Sequence, residues 1–130
     1  MITSIDHIVL TSKNIKKTIT FYCDFLGMKL EENFLGDEEN KRIFLKFGNQ
    51  KINVHSENKP FVPHAKNPIS GSVDICFLSP LPLNEWIKIC KKNKIDIEMG
   101  PVKREGATTL INSLYVRDPD MNLIEISNKF

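Results

Sequence analysis

Apolar residues along this chain follow two rhythms, a strand rhythm of period two and a helical rhythm near 3.6, and the succession of the two occurs twice. Residues 5–11 are apolar and β-branched and predict a strand. Ser12 or Asn14 can cap the helix that follows, where Ile15, Ile19, Tyr22 and Leu26 recur at helical spacing and Gly27 supplies the stop. Residues 28–34 and 42–47 predict two further strands, separated by the acidic turn Gly36-Asp37-Glu38-Glu39-Asn40. Gly48-Asn49 then turns the chain into a strand over 51–55.

The second half repeats that order. Residues 72–79 predict a strand, and Pro80-Leu81-Pro82 the break before a helix with the apolar stripe Leu83, Trp86, Ile87 and Cys90. Asn93-Lys94 ends it, and the return strands begin over 95–99. Residues 100–106 read as a polar loop carrying Lys103 and Arg104. The last two strands fall on 110–116 and 122–127, joined by the tight turn Asp118-Pro119-Asp120. Between the halves, 57–70 holds Pro60, Pro63 and Pro68 without periodicity, as a linker does. The expectation is one α+β domain over 1–130, built from β-α-β-β-β modules at 1–56 and 71–130. Each module lays a curved sheet against its own helix, and the opposite faces are left to enclose something.

Four polar residues sit in step with this repeat. Adding 67 to His7 gives Asp74, and adding 70 to His55 gives Glu125. Side chains alternate along a strand, so His7 points away from Ile8 and Leu10, and Glu125 away from Ile124 and Ile126. A carboxylate on an enclosed face is costly unless it is paired or metal-bound. Two imidazoles and two carboxylates form a mixed nitrogen and oxygen set suited to Zn, Ni, Mn, Co or Fe(II). Taken singly, each is more often structural; their matched positions raise the four together.

Composition narrows the partners. A net charge of +2, from 18 basic and 16 acidic residues, is too balanced to argue for nucleic acid or a membrane surface. The lysines Lys16-Lys17 and Lys91-Lys92 fall on predicted helices as solvated faces. Cys23, Cys76 and Cys90 lack metal-type spacing and read as free thiols. With no signal-peptide pattern and no bilayer-length apolar run, a soluble cytoplasmic protein is expected.

Ile5-Asp6-His7-Ile8-Val9-Leu10, Phe21-Tyr22-Cys23-Asp24-Phe25-Leu26-Gly27-Met28 and the segment from Tyr115 through Asp118-Pro119-Asp120 to Glu125 carry a resemblance. The chain resembles the vicinal oxygen chelate superfamily (glyoxalase, bleomycin resistance, extradiol dioxygenase) over nearly its whole length. The stretches 50–55 and 100–107 look most like its glyoxalase domain-containing protein 5 and virulence-protein-like branch. The resemblance implies a cupped eight-stranded glyoxalase-like sheet, commonly a homodimer, a small-molecule substrate and a divalent ion held by His7, His55, Asp74 and Glu125. Glyoxalase I usually has Glu where this chain has His55 and His where it has Asp74, and Met121 replaces the usual Gly of the last turn. The expected activity is that of a metal-dependent lyase or isomerase acting on a vicinal-oxygen or thiol-adduct substrate through a stabilised oxyanion. Glu125 is the candidate acid–base group and His55 the second choice, with Arg104, Lys103 and Tyr115 as substrate contacts. A metal-free binding protein of the bleomycin-resistance type is the alternative, and a metal-dependent dioxygenase the third.

Overall fold

The computed structural model describes residues 1–34 and 41–130; the acidic turn expected at 36–40 lies outside the described residues. The chain divides into two compact units, Met1–Gly71 and Ser72–Phe130, so the proline-rich linker travels with the first. The first unit runs β1 (His7–Ser12), α1 (Ile15–Ile19) continuing as a π-helical turn (Thr20–Phe25), β2 (Lys29–Phe34), β3 (Lys41–Phe47) and β4 (Gln50–Ser56). The second runs β5 (Asp74–Leu78), α2 (Leu83–Lys92), β6 (Met99–Glu105), β7 (Leu110–Arg117) and β8 (Leu123–Lys129). Each unit builds its own four-stranded sheet, with orders β1-β4-β3-β2 and β5-β8-β7-β6. The eight expected strands are therefore present but divided between two sheets. In each, the first strand pairs parallel with the last and the other neighbours pair antiparallel.

Alternation decides what each sheet buries. Leu10, Leu45, Ile52 and Val54 in the first unit, and Leu114, Val116, Ile124 and Ile126 in the second, are buried on one face. Ser12 on that face meets Thr18 of α1 through a buried hydroxyl pair at 2.6 Å. Asn128 on the equivalent face of β8 accepts the Leu83 backbone N–H at the start of α2. His7, Asp74 and Glu125 alternate with these sets and take the other face.

Two elements differ from expectation. Asn14 does cap α1, its Oδ1 accepting from the Lys17 backbone at 3.0 Å. The buried stripe, however, is Thr18, Phe21, Tyr22 and Phe25 rather than Ile15, Ile19, Tyr22 and Leu26. The π turn accounts for this, because Leu26 reaches back five residues to the Phe21 carbonyl and the apolar face rotates with the wider turn. Residues 99–105 form an edge strand, not a loop, so Lys103 and Arg104 stand on a strand. Pro101 hid it: it lacks an N–H and lies at a register shift between Met99 and Val102, where an edge strand tolerates it. No helix among the described residues is long and apolar enough to cross a membrane.

The turn between β7 and β8 is held by Asp118, whose Oδ1 accepts from the Asp120 and Asn122 backbones while Oδ2 accepts from the Asn122 amide. Met121 takes φ 69 there, in the left-handed region, with its side chain 62% exposed. Such a conformation costs a side-chain-bearing residue roughly 1–2 kcal/mol, against about 0.5–1 kcal/mol of extra backbone entropy for glycine. Met121→Gly should accordingly raise the thermal midpoint by roughly 2–4 °C. A midpoint that falls in a calorimetric scan would show that the Met121 side chain carries packing that its exposure does not suggest.

Candidate functional site

In the second unit, strand register gathers the site on the face turned away from the buried core. Glu125 of β8 stands between Cys76 of β5 and Tyr115 of β7. Its Oε2 accepts from the Ser113 hydroxyl at 2.6 Å and from the Ser127 hydroxyl at 3.3 Å, and the two serines meet each other at 2.7 Å. Both serines are fully buried, so the carboxylate rests on an immobile pair of donors, and the Cys76 thiol hydrogen-bonds to it from β5. Asp74 shares the face but pairs with Leu123, two residues out of step with Glu125. Glu125 also lines a cavity of about 450 Å³ with Cys76, Leu78, Arg104, Ile111 and Lys129. The loop from Gly106 to Thr109 forms its rim, and Gly106 is required there, because a Cβ would stand 2.6 Å from the Thr109 carbonyl oxygen.

Arg104, which lines this cavity, is paired with Tyr115 on the neighbouring strand. The Arg104 Nε–H donates to the Tyr115 hydroxyl at 2.9 Å, while the other guanidinium nitrogens reach the Lys103 carbonyl and the Met99 sulfur. Lys103, the next residue on the strand, points to the opposite face and lays its ammonium over the Phe130 ring. It is not brought to the site. Arg117, on the same face as Asp74, is held by a two-pronged ion pair with Glu98 at 3.0 Å on both prongs. The pair keeps the Glu98 carboxyl below its ordinary range and the guanidinium above its own. Burial pushes the Cys76 thiol above the usual range; the Ser127 hydroxyl opposes that, and the Glu125 and Asp74 charges add to it. A thiol so placed is a poor nucleophile at neutral pH.

In the first unit, His7 is exposed and its Nδ1 meets the Asp6 carboxylate at 2.7 Å. A carboxylate on one ring nitrogen fixes the tautomer and turns the Nε2 lone pair outward, as metal-binding imidazoles require. His55 does not join it. The β1–β4 register sets His7 opposite Lys51 and His55 opposite Thr11, four residues further on, or roughly 13 Å along the strands. One ion cannot bridge that gap, so within this unit the two histidines cannot share a metal. The apparent step from His55 to Glu125 fails for the same reason. Glu125 stands opposite the residue two beyond Asp74, and the residue opposite the one two beyond His7 is Asn53. Asn53, not His55, is the structural counterpart of Glu125. The alternation that placed His55 also places Asn53 on this face, but only the register shows which of the two is level with Glu125.

His55 is instead enclosed. It is 8% exposed, its ring meets Phe61 edge-on at 5.4 Å, and its Nδ1 is buried without a hydrogen-bond partner. Burial, then the nearby Arg42 charge and His64, hold its pKa below 6.5. Among the described residues no group of three or more His, Cys, Asp or Glu gathers as a metal site. A histidine whose folded pKa is depressed contributes stability present above its unfolded value, and that stability is lost as pH falls toward the folded value. The thermal midpoint should therefore fall on acidification below about pH 6.5, and His55→Gln should flatten that part of the profile. An unchanged slope in the variant would assign the acid sensitivity to another group.

Residues 4–126 match the model of the Glyoxalase/Bleomycin resistance protein/Dioxygenase superfamily. The chain is 43% identical to Virulence protein STM3117 of Salmonella typhimurium over 127 residues, covering 98% of this chain and 85% of that protein. The crystal structure of STM3117 superposes with a TM-score of 0.91 over 100% of this chain and 99% of that one. This chain is also 44% identical to Glyoxalase domain-containing protein RDO1 of Mycosarcoma maydis over 125 residues, 96% of this chain and 68% of that protein. Two more distant structures share the fold alone. They are a lactoylglutathione lyase from Agrobacterium tumefaciens (TM-score 0.71, 20% identity, 97% of this chain and 93% of that one) and TnmS3, an antibiotic binding protein from Streptomyces sp. CB03234 (0.74, 12%, 99% and 98%). With its paired β-α-β-β-β units and a family match over nearly its full length, the chain belongs to the glyoxalase/bleomycin resistance/dioxygenase superfamily.

Proposed function

We propose that the chain is a divalent-ion-dependent lyase or isomerase acting on a small substrate with adjacent oxygens, such as a thiol adduct of an oxoaldehyde. The observation that carries this reading is Glu125, a carboxylate oriented by two buried hydroxyls at the wall of a cavity of about 450 Å³. The candidate donors are Glu125 and Asp74 on the second unit's face and His7 on the first unit's, each of a chemistry that fits a hard or borderline divalent cation. Asp6 on Nδ1 of His7 and the serines on Oε2 of Glu125 are the outer partners such donors need. When bound, the ion supplies Lewis acidity toward a developing oxyanion.

The chain's own residues supply the rest. Glu125 takes a proton from the carbon beside a substrate carbonyl and returns it to the neighbouring carbon, which conserves atoms and charge overall. Ser113 and Ser127 keep the carboxylate pointed while it exchanges that proton. Tyr115, accepting from Arg104, has its O–H free to donate to a substrate oxygen. Leu78 and Ile111 line the cavity beside Glu125 and help exclude water from it. A binding protein without chemistry is the second reading, favoured by the absence of any three-donor cluster among the described residues.

Metal analysis and divalent-ion titration of the purified protein separate the two. Binding of about one ion per site is expected, lost in His7→Ala and in Glu125→Ala. Glu125→Gln should lower kcat on oxoaldehyde–thiol adducts by about 10²–10⁴-fold. Failure to bind any divalent ion above background would move the protein to the ligand-binding class.

A further inference from the structure

The two units are built alike, and the difference between their equivalent positions points to a second site. In the second unit the cluster Ser113, Glu125 and Ser127 satisfies itself: a carboxylate with two hydroxyls on it. Its counterparts follow from strand register. Asn53 takes the place of Glu125, and His55, two residues on, that of Ser127. Phe44 pairs with Asn53 as Tyr115 pairs with Glu125, so Arg42 takes the place of Ser113. The first unit thus has an amide where the second has a carboxylate, and two nitrogen bases where the second has hydroxyls.

Nothing among the described residues satisfies this trio. Arg42 Nε, Asn53 Oδ1 and His55 Nδ1 are all buried without a hydrogen-bond partner, and all three residues line one small cavity beside Phe61. Three orphaned polar atoms around one space are an expensive arrangement unless something fills it. Phe61 covers it, with the Arg42 guanidinium carbon 4.4 Å from its ring centre and His55 edge-on. The charged groups acting on His55 are Arg42 and His64, neither of them acidic. Lys51 stands on the same face, its ammonium over the Phe44 ring. Two of the three orphans are nitrogens that can donate, and the third belongs to an amide that donates once turned, a set that suits an anionic partner.

We propose that Arg42, Asn53 and His55, covered by Phe61, form a binding site for a carboxylate-bearing ligand in the first unit. The cavity holds about 10 Å³, room for one oxygen atom and not for a tetrahedral anion. One carboxylate oxygen enters and accepts from the Arg42 Nε–H and from the His55 Nδ1–H of the neutral tautomer that places its proton there. The Asn53 amide, turned about its last bond, presents its NH₂ to the same carboxylate. The rest of the ligand leaves past Phe61. No metal takes part, so this site stands or falls apart from the function proposed above.

The test is an NMR titration of the whole protein with sodium acetate, acetamide and inorganic phosphate in turn, at fixed ionic strength and with EDTA present. Acetate should shift the Arg42 Nε–H and His55 ring resonances saturably; acetamide and phosphate should not. Arg42→Gln and Asn53→Ala should each weaken acetate binding about tenfold or more, and Arg42→Lys should restore only part of the loss. Arg42→Lys and Asn53→Ala carry the comparison if Arg42→Gln does not fold. No saturable shift, as expected of a cavity that holds only water, would overturn the proposal. Equal responses to acetamide or phosphate, or binding unchanged in Arg42→Gln and Asn53→Ala, would overturn it too.

Discussion

Strand register is the constraint on which the rest depends. In each unit the first strand pairs parallel with the last, and one face of the resulting sheet is buried. A one-residue slip of β8 would expose Ile124 and Ile126 and turn Glu125 and Ser127 into the core. Each apolar side chain brought to water costs roughly 1.5–3 kcal/mol, and each buried carboxylate without a partner costs more. Both penalties act in the same direction, so the register has no near competitor. That is why Glu125 meets Ser113 and Ser127 in one fixed geometry, and why His55 cannot slide back to the level of His7.

Much of this was legible in the residues. Period-two runs located seven of the eight strands, to within a few residues, and of the stripe expected on α2, Leu83, Trp86 and Cys90 are buried while Ile87 is exposed. Alternation alone put His7 and Glu125 opposite the apolar sets. What alternation cannot supply is the offset between strands, because that depends on how the chain returns after each turn. His55 and Asn53 lie on the same face, and nothing local distinguishes which is level with Glu125. The orientation of Tyr115 was open for the same reason; pairing with Glu125 fixes it. The π turn at Thr20–Phe25 and the edge strand through Pro101 were hidden because each breaks the local rule by which its class is recognised.

The chemistry that the site permits follows from which groups are held and which are free. Cys76 lies directly beside Glu125, and its thiol is pushed up by loss of solvation and by neighbouring carboxylate charge, which disfavours the thiolate at neutral pH. Arg104 is engaged with Tyr115, Lys103 carbonyl and Met99, which makes it a positioning group for the tyrosine before it is an anion receptor. Lys103 belongs to the other face. The groups placed to exchange a proton are oxygens: the Glu125 carboxylate and the Tyr115 hydroxyl.

Comparison of the two units shows where the chain can change and where it cannot. On the buried face, Ile8, Leu10, Ile43, Leu45, Ile52 and Val54 stand where Ile75, Phe77, Leu114, Val116, Ile124 and Ile126 stand, six equivalent pairs that are apolar in both units. On the other face almost every equivalent position differs in charge or in hydrogen-bonding type: His7 and Asp74, Lys51 and Leu123, Arg42 and Ser113, Asn53 and Glu125, His55 and Ser127. Packing restrains the first set, since a lost methylene there costs about 1 kcal/mol, while the second is free to follow whatever it binds. The divergence has a direction. The first unit's face sets Arg42, Lys51 and His55 around the Asn53 amide, whereas the second unit's sets one carboxylate, Glu125, on two fixed hydroxyl donors.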